Sequence, residues 1–319
     1  MAISLVTGGA GFIGSHLVEA LVARGDTVQV LDNFSTGYRE NLAAVADRVE
    51  VIEGDVVDLE VVRRAVRGVE VVFHQAALVS VPRSVADPLA THHACATGTL
   101  HVLMAAREAG VRRVVYAASS SAYGNSPRLP KSETDATAPL SPYAVAKLAG
   151  EQYCAAFHQV YGLETVRLRY FNVFGPRQRP GSPYSAVIPL FIDAMQAGRR
   201  PTIHGDGRQS RDFTYVDNVV RANLLAAEAA GVGGRVYNTA CGQAASLLDL
   251  VEAINELLGT RIAPVHDAPR PGDVKDSLAD LSRARADLGY EPVVDWREGL
   301  RRCVAAATGT LRRQKQVAS

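Results

Sequence analysis

A short apolar run, Ile3-Ser4-Leu5-Val6-Thr7, leads at once into Gly8-Gly9-Ala10-Gly11-Phe12-Ile13-Gly14. No other feature constrains the fold as tightly. A buried strand enters a turn in which Gly8, Gly11 and Gly14 recur every third residue. The turn opens a helical pattern from Phe12 to Arg24, with Phe12, Leu17, Val18 and Leu21 on one side. Glycines there permit a tight turn and close backbone approach, so a pyrophosphate can sit on the helix N-terminus. A glycine triplet alone also fits an ordinary strand–helix turn. Here a second strand, Val28 to Leu31, ends at Asp32, where a carboxylate can accept hydrogen bonds from an adenosine ribose. The combination points to a dinucleotide. Asp32 would repel a 2′-phosphate, which favours NAD over NADP, and Arg39 reads as a solvated loop charge.

Further apolar runs follow at Val49 to Ile52, Val69 to Phe73 and Val114 to Ala117, separated by helical stretches. Continuous apolar strands alternating with helices predict an α/β fold, a doubly wound parallel sheet covered on both faces. After about Gly175 the elements shorten and Pro and Gly become frequent, as in Gly175-Pro176-Arg177-Gln178-Arg179-Pro180-Gly181. The expected organisation is a nucleotide-binding domain over 1–172 and a smaller α/β substrate domain over 173–319, with segments of the second returning to pack on the first.

Composition excludes several classes. The 34 Lys+Arg and 33 Asp+Glu nearly cancel, which argues against a nucleic-acid binder working by bulk charge. Cys95, Cys154, Cys241 and Cys303 lie far apart, so a disulfide scaffold and a zinc knuckle are excluded and a reducing compartment fits. The first Arg or Lys is Arg24, so the apolar start has no signal-peptide n-region, and no run reaches the about 18 apolar residues of a membrane span. A cytoplasmic protein without membrane contact is expected. His92-His93 lacks a carboxylate–histidine spacing, so no metal site is expected, and His74 reads as a buried, hydrogen-bonded residue. The basic run Arg312-Arg313-Gln314-Lys315 reads as a solvated end.

Tyr143 and Lys147 lie four apart in Ser141-Pro142-Tyr143-Ala144-Val145-Ala146-Lys147. Pro142 suits a first helical turn, so both side chains project from one helix face. An ammonium beside a phenol stabilises the phenolate and makes Tyr a usable base near neutral pH. As a bare pair the spacing also fits surface helix residues. Its companion is Ser119-Ser120-Ser121, which follows the strand at Val114 and so lies where parallel sheets bind ligands, although three serines also fit a flexible loop.

Together, Gly8xxGly11xxGly14, Asp32, the Ser119 loop and Tyr143xxxLys147 resemble the extended short-chain dehydrogenase/reductase family, a Rossmann-type fold. The likeness continues through Leu168 to Gly175, Gly205-Asp206-Gly207-Arg208-Gln209-Ser210-Arg211-Asp212-Phe213 and Arg270-Pro271-Gly272-Asp273. Within the family, Pro183-Tyr184-Ser185-Ala186-Val187-Ile188-Pro189 and His74-Gln75-Ala76-Ala77-Leu78 are similar to UDP-hexose 4-epimerases of the UDP-N-acetylglucosamine type. The resemblance implies NAD as a bound cofactor, contacted by Gly8, Gly11, Phe12, Ile13, Asp32, Asn33, Gly37, Asp55, Val56, Ala76, Ala77, Tyr143, Lys147 and Phe171. It implies that Tyr143 is the base at the sugar 4-hydroxyl, Lys147 the partner of the nicotinamide ribose, and Ser119 the group bonding the 4-oxygen with Ser120 beside it. Substrate contacts would come from Ser80, Ser119, Ser120, Tyr143, Asn172, Ala186, Val187, Arg211, Arg270, Asp273 and Ser277. Asn172 and Arg211 would hold the UDP diphosphate, and Ser277, counted from Gly272-Asp273, would be the pocket gate. A homodimer is also implied.

Two positions depart from the pattern. Cys95 stands where relatives carry an Asn near the cofactor, and Val79 replaces a Gly beside the sugar pocket, which it could narrow. Competing readings are a nucleotide-sugar dehydratase or decarboxylase, a UDP-glucuronate 4-epimerase, and a cofactor-binding regulator without turnover. The first needs an acidic residue in the serine loop, which Ser120 and Ser121 do not supply. The intact Tyr143–Lys147 pair argues against the last.

Overall fold

A computed structural model describes residues 2–180, 186–269 and 274–317. The first half alternates strand and helix as the sequence predicts. Strand β1 (Ile3–Thr7) is followed by α1 (Phe12–Arg24), then β2 (Thr27–Asp32), β3 (Val49–Glu53), α2 (Leu59–Ala65) and β4 (Val71–His74). Two short helices, α3 (Val81–Ala86) and α4 (Pro88–His92), run through a π-helical turn at His93–Thr97 into α5 (Gly98–Glu108). Next come β5 (Arg113–Ser119), α6 (Pro142–Tyr161) and β6 (Glu164–Tyr170). Beyond it the elements shorten: β7 (Val173–Phe174), α7 (Val187–Gln196), β8 (Thr202–His204), β9 (Ser210–Asp212), β10 (Thr214–Tyr215), α8 (Val216–Glu228), β11 (Val236–Thr239), β12 (Ala244–Ser246), α9 (Leu247–Leu258), β13 (Val265–Asp267), α10 (Ser282–Leu288) and α11 (Trp296–Val317).

Seven parallel strands form one sheet in the order β11-β6-β5-β4-β1-β2-β3. The order reverses between β1 and β4, which opens a crevice at their carboxyl ends. Strand alternation explains why both faces are apolar. Val6, Phe73 and Val115 face Leu17 and Leu21 of α1 and Val219 and Ala226 of α8, while Leu5, Val72 and Val114 face Val62, Leu103 and Phe157 from the other helical layer. Full burial of each such Leu or Val stabilises by roughly 1.5–3 kcal/mol.

The second half does not stay together. Helices α8 and α10 and strand β11 return to the large sheet, whereas α7, α9 and α11 close a separate core around Phe191, Leu250, Trp296 and Leu300. Three two-stranded pairs, β7 with β10, β9 with β12 and β8 with β13, carry the segments between them. Among the described residues no helix is long and apolar enough to cross a membrane.

Candidate active site

A cleft of about 1830 Å³ opens where the strand order reverses, lined from Gly8 on one side to Ser277 on the other. That exceeds the about 300–1,000 Å³ of sites holding one small ligand and gives room for two nucleotides end to end.

The cofactor half is built on the glycine turn, where the three glycines serve different ends. Gly8 adopts φ +69° and a Cβ there would lie 2.7 Å from the Ala76 nitrogen; on Gly14 it would meet the Gly8 carbonyl at 2.1 Å. Those two are required by packing alone. A Cβ on Gly11 would meet only the Gly8 oxygen, at 3.1 Å, so its missing side chain leaves the turn open to the cleft. Gly11 is also the N-cap of α1 without a side-chain cap, leaving first-turn N–H groups to a ligand. The residues present therefore fit a dinucleotide pyrophosphate.

Asp32 sits at the end of β2, nearly buried, where its carboxylate accepts from the Ala10 nitrogen at 2.9 Å and the Phe34 nitrogen at 2.8 Å. Burial raises its pKa, and these bonds pull the other way. Asp32 thus braces the glycine turn as well as lining the cleft. Asn33 donates to Asp55 at 2.7 Å on the cleft wall, with Phe12, Ile13, Val56, Ala76, Ala77 and Phe171 also on it. Gly37 is buried between the cleft-lining Thr36 and Tyr38, and a Cβ there would come within 2.9 Å of Ala10 and 3.0 Å of Asp32, so its missing side chain secures the turn. Arg39 pairs with Glu53 over the Phe34 ring, a largely exposed arrangement.

At the floor, Ser141 caps α6 by accepting from the Ala144 nitrogen, and Pro142 occupies its first turn. Tyr143 and Lys147 consequently share one buried face of the helix. The Lys147 ammonium rests on the Tyr116 ring, 4.5 Å from its centroid, and the Tyr116 hydroxyl donates to the Lys147 carbonyl at 3.0 Å. Ser119 ends β5, bonds Ser121 through its hydroxyl at 2.8 Å and lines the cleft together with Ser120 and Tyr143. The expected lowering of the phenol by Lys147 is not found in the protein alone. Burial pushes Tyr143 well above its ordinary value, Cys95 adds to that, and the Ser119 bond is the contact that lowers it. Burial likewise lowers Lys147. Desolvation outweighs one ammonium that has no direct bond to the phenol.

The substrate half is more mixed. Ser80 faces the cleft while capping α3, accepting from the Arg83 nitrogen at 3.1 Å. Val79 lines the cleft and is 70% exposed, which places it at the rim. Cys95 is fully buried in the π-helical turn and lies off the cleft wall. Asn172, held at φ +32°, donates to the Asp212 carbonyl at 3.3 Å and the Ser277 hydroxyl at 3.2 Å. Arg211 lines the cleft and donates to the Ser210 and Lys275 carbonyls, each at 2.9 Å. It does not pair with Asp212, which is buried. Ala186 lines the cleft, but Val187 turns into the second core, because it opens α7 on the helix's apolar side. Arg270 and Asp273 lie outside the described residues, as does Pro183-Tyr184-Ser185.

Several lining residues escaped the sequence reading, among them Tyr38, Asn41, Lys131, Arg177 and Arg179. Asn41 holds the Ala10 carbonyl at 2.8 Å, and Arg177 reaches back to Ser15 at 3.1 Å and to Glu19. Arg179 lies 3.6 Å over the Tyr38 ring. The only signal for the arginines was their place in the Pro- and Gly-rich stretch after Gly175. Among the described residues no three His, Cys, Asp or Glu side chains cluster as a metal site.

The model of the NAD dependent epimerase/dehydratase family matches residues 4–240. A UDP-glucose 4-epimerase of Mycolicibacterium smegmatis is 41% identical over 305 residues, covering 94% of this chain and 97% of that protein. Among solved structures, the UDP-N-acetylglucosamine 4-epimerase of Methanobrevibacter ruminantium, in complex with UDP-N-acetylmuramic acid, superposes with a TM-score of 0.92 at 41% identity, over 97% of this chain and 99% of the other. The UDP-glucose 4-epimerase of Thermus thermophilus in complex with NAD gives 0.88 at 39% identity, over 96% and 99%.

Proposed function

The chain belongs to the NAD dependent epimerase/dehydratase family, and from that premise we propose that it inverts C4 of UDP-hexoses, taking UDP-Glc/UDP-Gal and UDP-GlcNAc/UDP-GalNAc. The observation that carries this reading is that Tyr143 lines the same cleft as Ser119, in a loop whose next residues, Ser120 and Ser121, bring no carboxylate. Such a floor can move a proton at one oxygen and lacks the further acid or base of an elimination or a carboxylate reaction.

Tyr143 takes the proton from O4 as hydride leaves C4 and gives it back when the hydride returns to the opposite face of C4, and Ser119 donates a hydrogen bond to that oxygen. When bound, the oxidised nicotinamide would supply the acceptor for the hydride from C4 and a positive charge within the cleft. Lys147, fixed on the Tyr116 face, would hold the cofactor's nicotinamide ribose. Asn172 and Arg211, with Arg270, hold the UDP diphosphate while the 4-keto sugar turns over, and Asp273 holds the ribose of the nucleotide. Arg211 is suited to the diphosphate because a guanidinium stays charged and forks toward two oxygens. The small Ser277 leaves space for a 2-acetamido group in that turn. The exposed apolar side chains of Val85, Leu89, Val145 and Tyr153 on neighbouring helices support a homodimer, which sedimentation would read directly.

The test is incubation with UDP-Glc, UDP-GlcNAc and UDP-GlcA followed by chromatography of the products. Epimers of the first two are expected. Conversion of UDP-GlcA alone would replace this reading with a uronate epimerase, and no conversion of any would leave a binding protein.

A further inference from the structure

Asp212 is fully buried on β9, and among the described residues no Lys, Arg or His pairs with it. An ionised carboxyl in such a place is costly unless its oxygens are satisfied. Here they are satisfied by main chain alone. Oδ1 accepts from the Cys241 nitrogen at 2.9 Å and the Gly242 nitrogen at 3.2 Å. Oδ2 accepts from the Gly242 nitrogen and from the Ala279 nitrogen, each at 3.1 Å. Two segments far apart in sequence, the turn after β11 and the strap through Ser277, are thereby tied to one side chain.

Three residues proposed to meet the UDP-sugar, Arg211, Asn172 and Ser277, hang on these segments. Arg211 precedes Asp212 and is braced by the Lys275 carbonyl; Ser277 donates its nitrogen to the Ser210 carbonyl at 3.2 Å; Asn172 bonds both the Asp212 carbonyl and the Ser277 hydroxyl. The glycine turn, Tyr143 and Lys147 have no bond to this cluster.

We propose that Asp212 is the positioning residue of the substrate half of the cleft, its carboxylate fixing the strap and the β11 turn so that Arg211, Asn172 and Ser277 meet the UDP-sugar together. The inference rests on the UDP-hexose reading and extends it to a residue that does not touch substrate. It requires both oxygens to be acceptors. An Asn at 212 would point one N–H group at a main-chain N–H group and release a segment.

Protonation does the same. Burial pushes Asp212 up to about 6 against the pull of its backbone bonds. The titratable groups facing it from packed elements are the Cys241 thiol and the Tyr290 phenol, both raised by burial and neutral across this range. The charges nearby are Arg211 on its own strand, Lys275 and Asp276 on the strap, and Arg221, Glu291 and Asp295 around Tyr290 and Cys241.

The experiment measures KM, kcat and calorimetric affinity for UDP-glucose from pH 5 to 8 in the NAD-loaded protein and in Asp212→Asn. The diphosphate of UDP-glucose is a diester and does not titrate in this range. The wild-type KM should rise as pH falls through about 6, with kcat moving less. Asp212→Asn should keep its NAD, raise KM about tenfold at neutral pH, as expected for a lost buried acceptor, and lose the pH dependence. A variant KM within twofold of wild type, or a wild-type affinity flat with pH, overturns the proposal; the wild-type arm decides even if the variant does not fold. A wild-type protein that binds UDP-glucose but never epimerises it overturns the catalytic reading instead, and the affinity series still tests Asp212.

Discussion

The Asn172 amide donates to the Ser277 hydroxyl at 3.2 Å, joining the end of β6 to a strap more than a hundred residues later in the chain. Through this bond a residue proposed to hold the diphosphate is coupled to the one proposed to size the sugar pocket.

The coupling separates two substitutions. Ser277→Ala removes the hydroxyl and no volume is added, so UDP-GlcNAc and UDP-Glc activities should fall together, by less than tenfold for one hydrogen bond of about 1 kcal/mol. Ser277→Tyr adds an aromatic wall at a position only 8% exposed. Overlap in a close-packed interior is costly, and a turning 2-acetamido group sweeps more space than a hydroxyl. The Tyr variant should lose the N-acetyl activity and spare most of the plain hexose reaction. Equal losses on both sugars would show that Ser277 is not the gate.

Tyr143→Phe removes one oxygen from a packed ring. The fold and NAD content should survive, while kcat drops by about 10²- to 10⁴-fold, the usual contribution of a general acid–base group. Near-native turnover in the Phe variant would remove Tyr143 from the base role.

The three glycines of the first turn should respond differently to a methyl group. At Gly8 the left-handed φ alone costs roughly 1–2 kcal/mol for an L residue, and the Ala76 backbone stands 2.7 Å from the new carbon. Gly8→Ala should lower the melting temperature markedly. Gly11→Ala meets only one oxygen at 3.1 Å, so its melting temperature should stay within a few degrees while the purified protein carries little NAD. Equal melting temperatures and equal NAD content in both variants would contradict the division between packing and ligand approach.

The first half of the fold was legible because short apolar strands rich in Val and Ile alternate there with longer helical patterns, and the first turn is marked by glycines. The limits of β1 and α1 match the expected ones residue for residue. The second half was not, because strands of two or three residues such as β7 and β10 carry no periodicity, and β11 joins the large sheet only through tertiary pairing. The site followed the same division. Tyr143, Lys147 and Ser119 are fixed by local signals, a helix cap and a strand end. Val187 sits beside the lining residue Ala186 but packs its side chain on the second core, a matter of one residue of rotation that no motif spacing resolves. Asp212 and Asn41 act through bonds to distant backbone, so their roles were not legible even where, as for Asp212, the residue lies in a quoted motif.

A fourth prediction concerns pH and stability. His74, fully enclosed at the end of β4, bonds Thr7 Oγ1 through Nδ1 at 2.7 Å and Thr99 Oγ1 through Nε2 at 3.0 Å. The Thr99 hydroxyl donates to the Cys95 carbonyl at 2.6 Å, so it must accept from Nε2–H, and Nδ1 in turn accepts from the Thr7 hydroxyl. The ring is therefore neutral with a fixed tautomer. Burial first, and the Lys147 charge second, depress its pKa from 6.5 to about 3. Because the folded value lies below the unfolded one, the unfolded chain takes up the proton first as pH falls. The stability this residue lends is complete above pH 6.5 and is lost as pH drops from there toward 3. The expected slope is about 1.4 kcal/mol per pH unit below the unfolded pKa. Urea unfolding of the wild type and of His74→Gln at pH 7.5, about 6 and about 5 measures it, with the difference between the two proteins cancelling His16 and the carboxylates. The Gln variant should be less stable at neutral pH yet lose less on acidification. Parallel curves for the two proteins would mean that His74 is already protonated in the folded state.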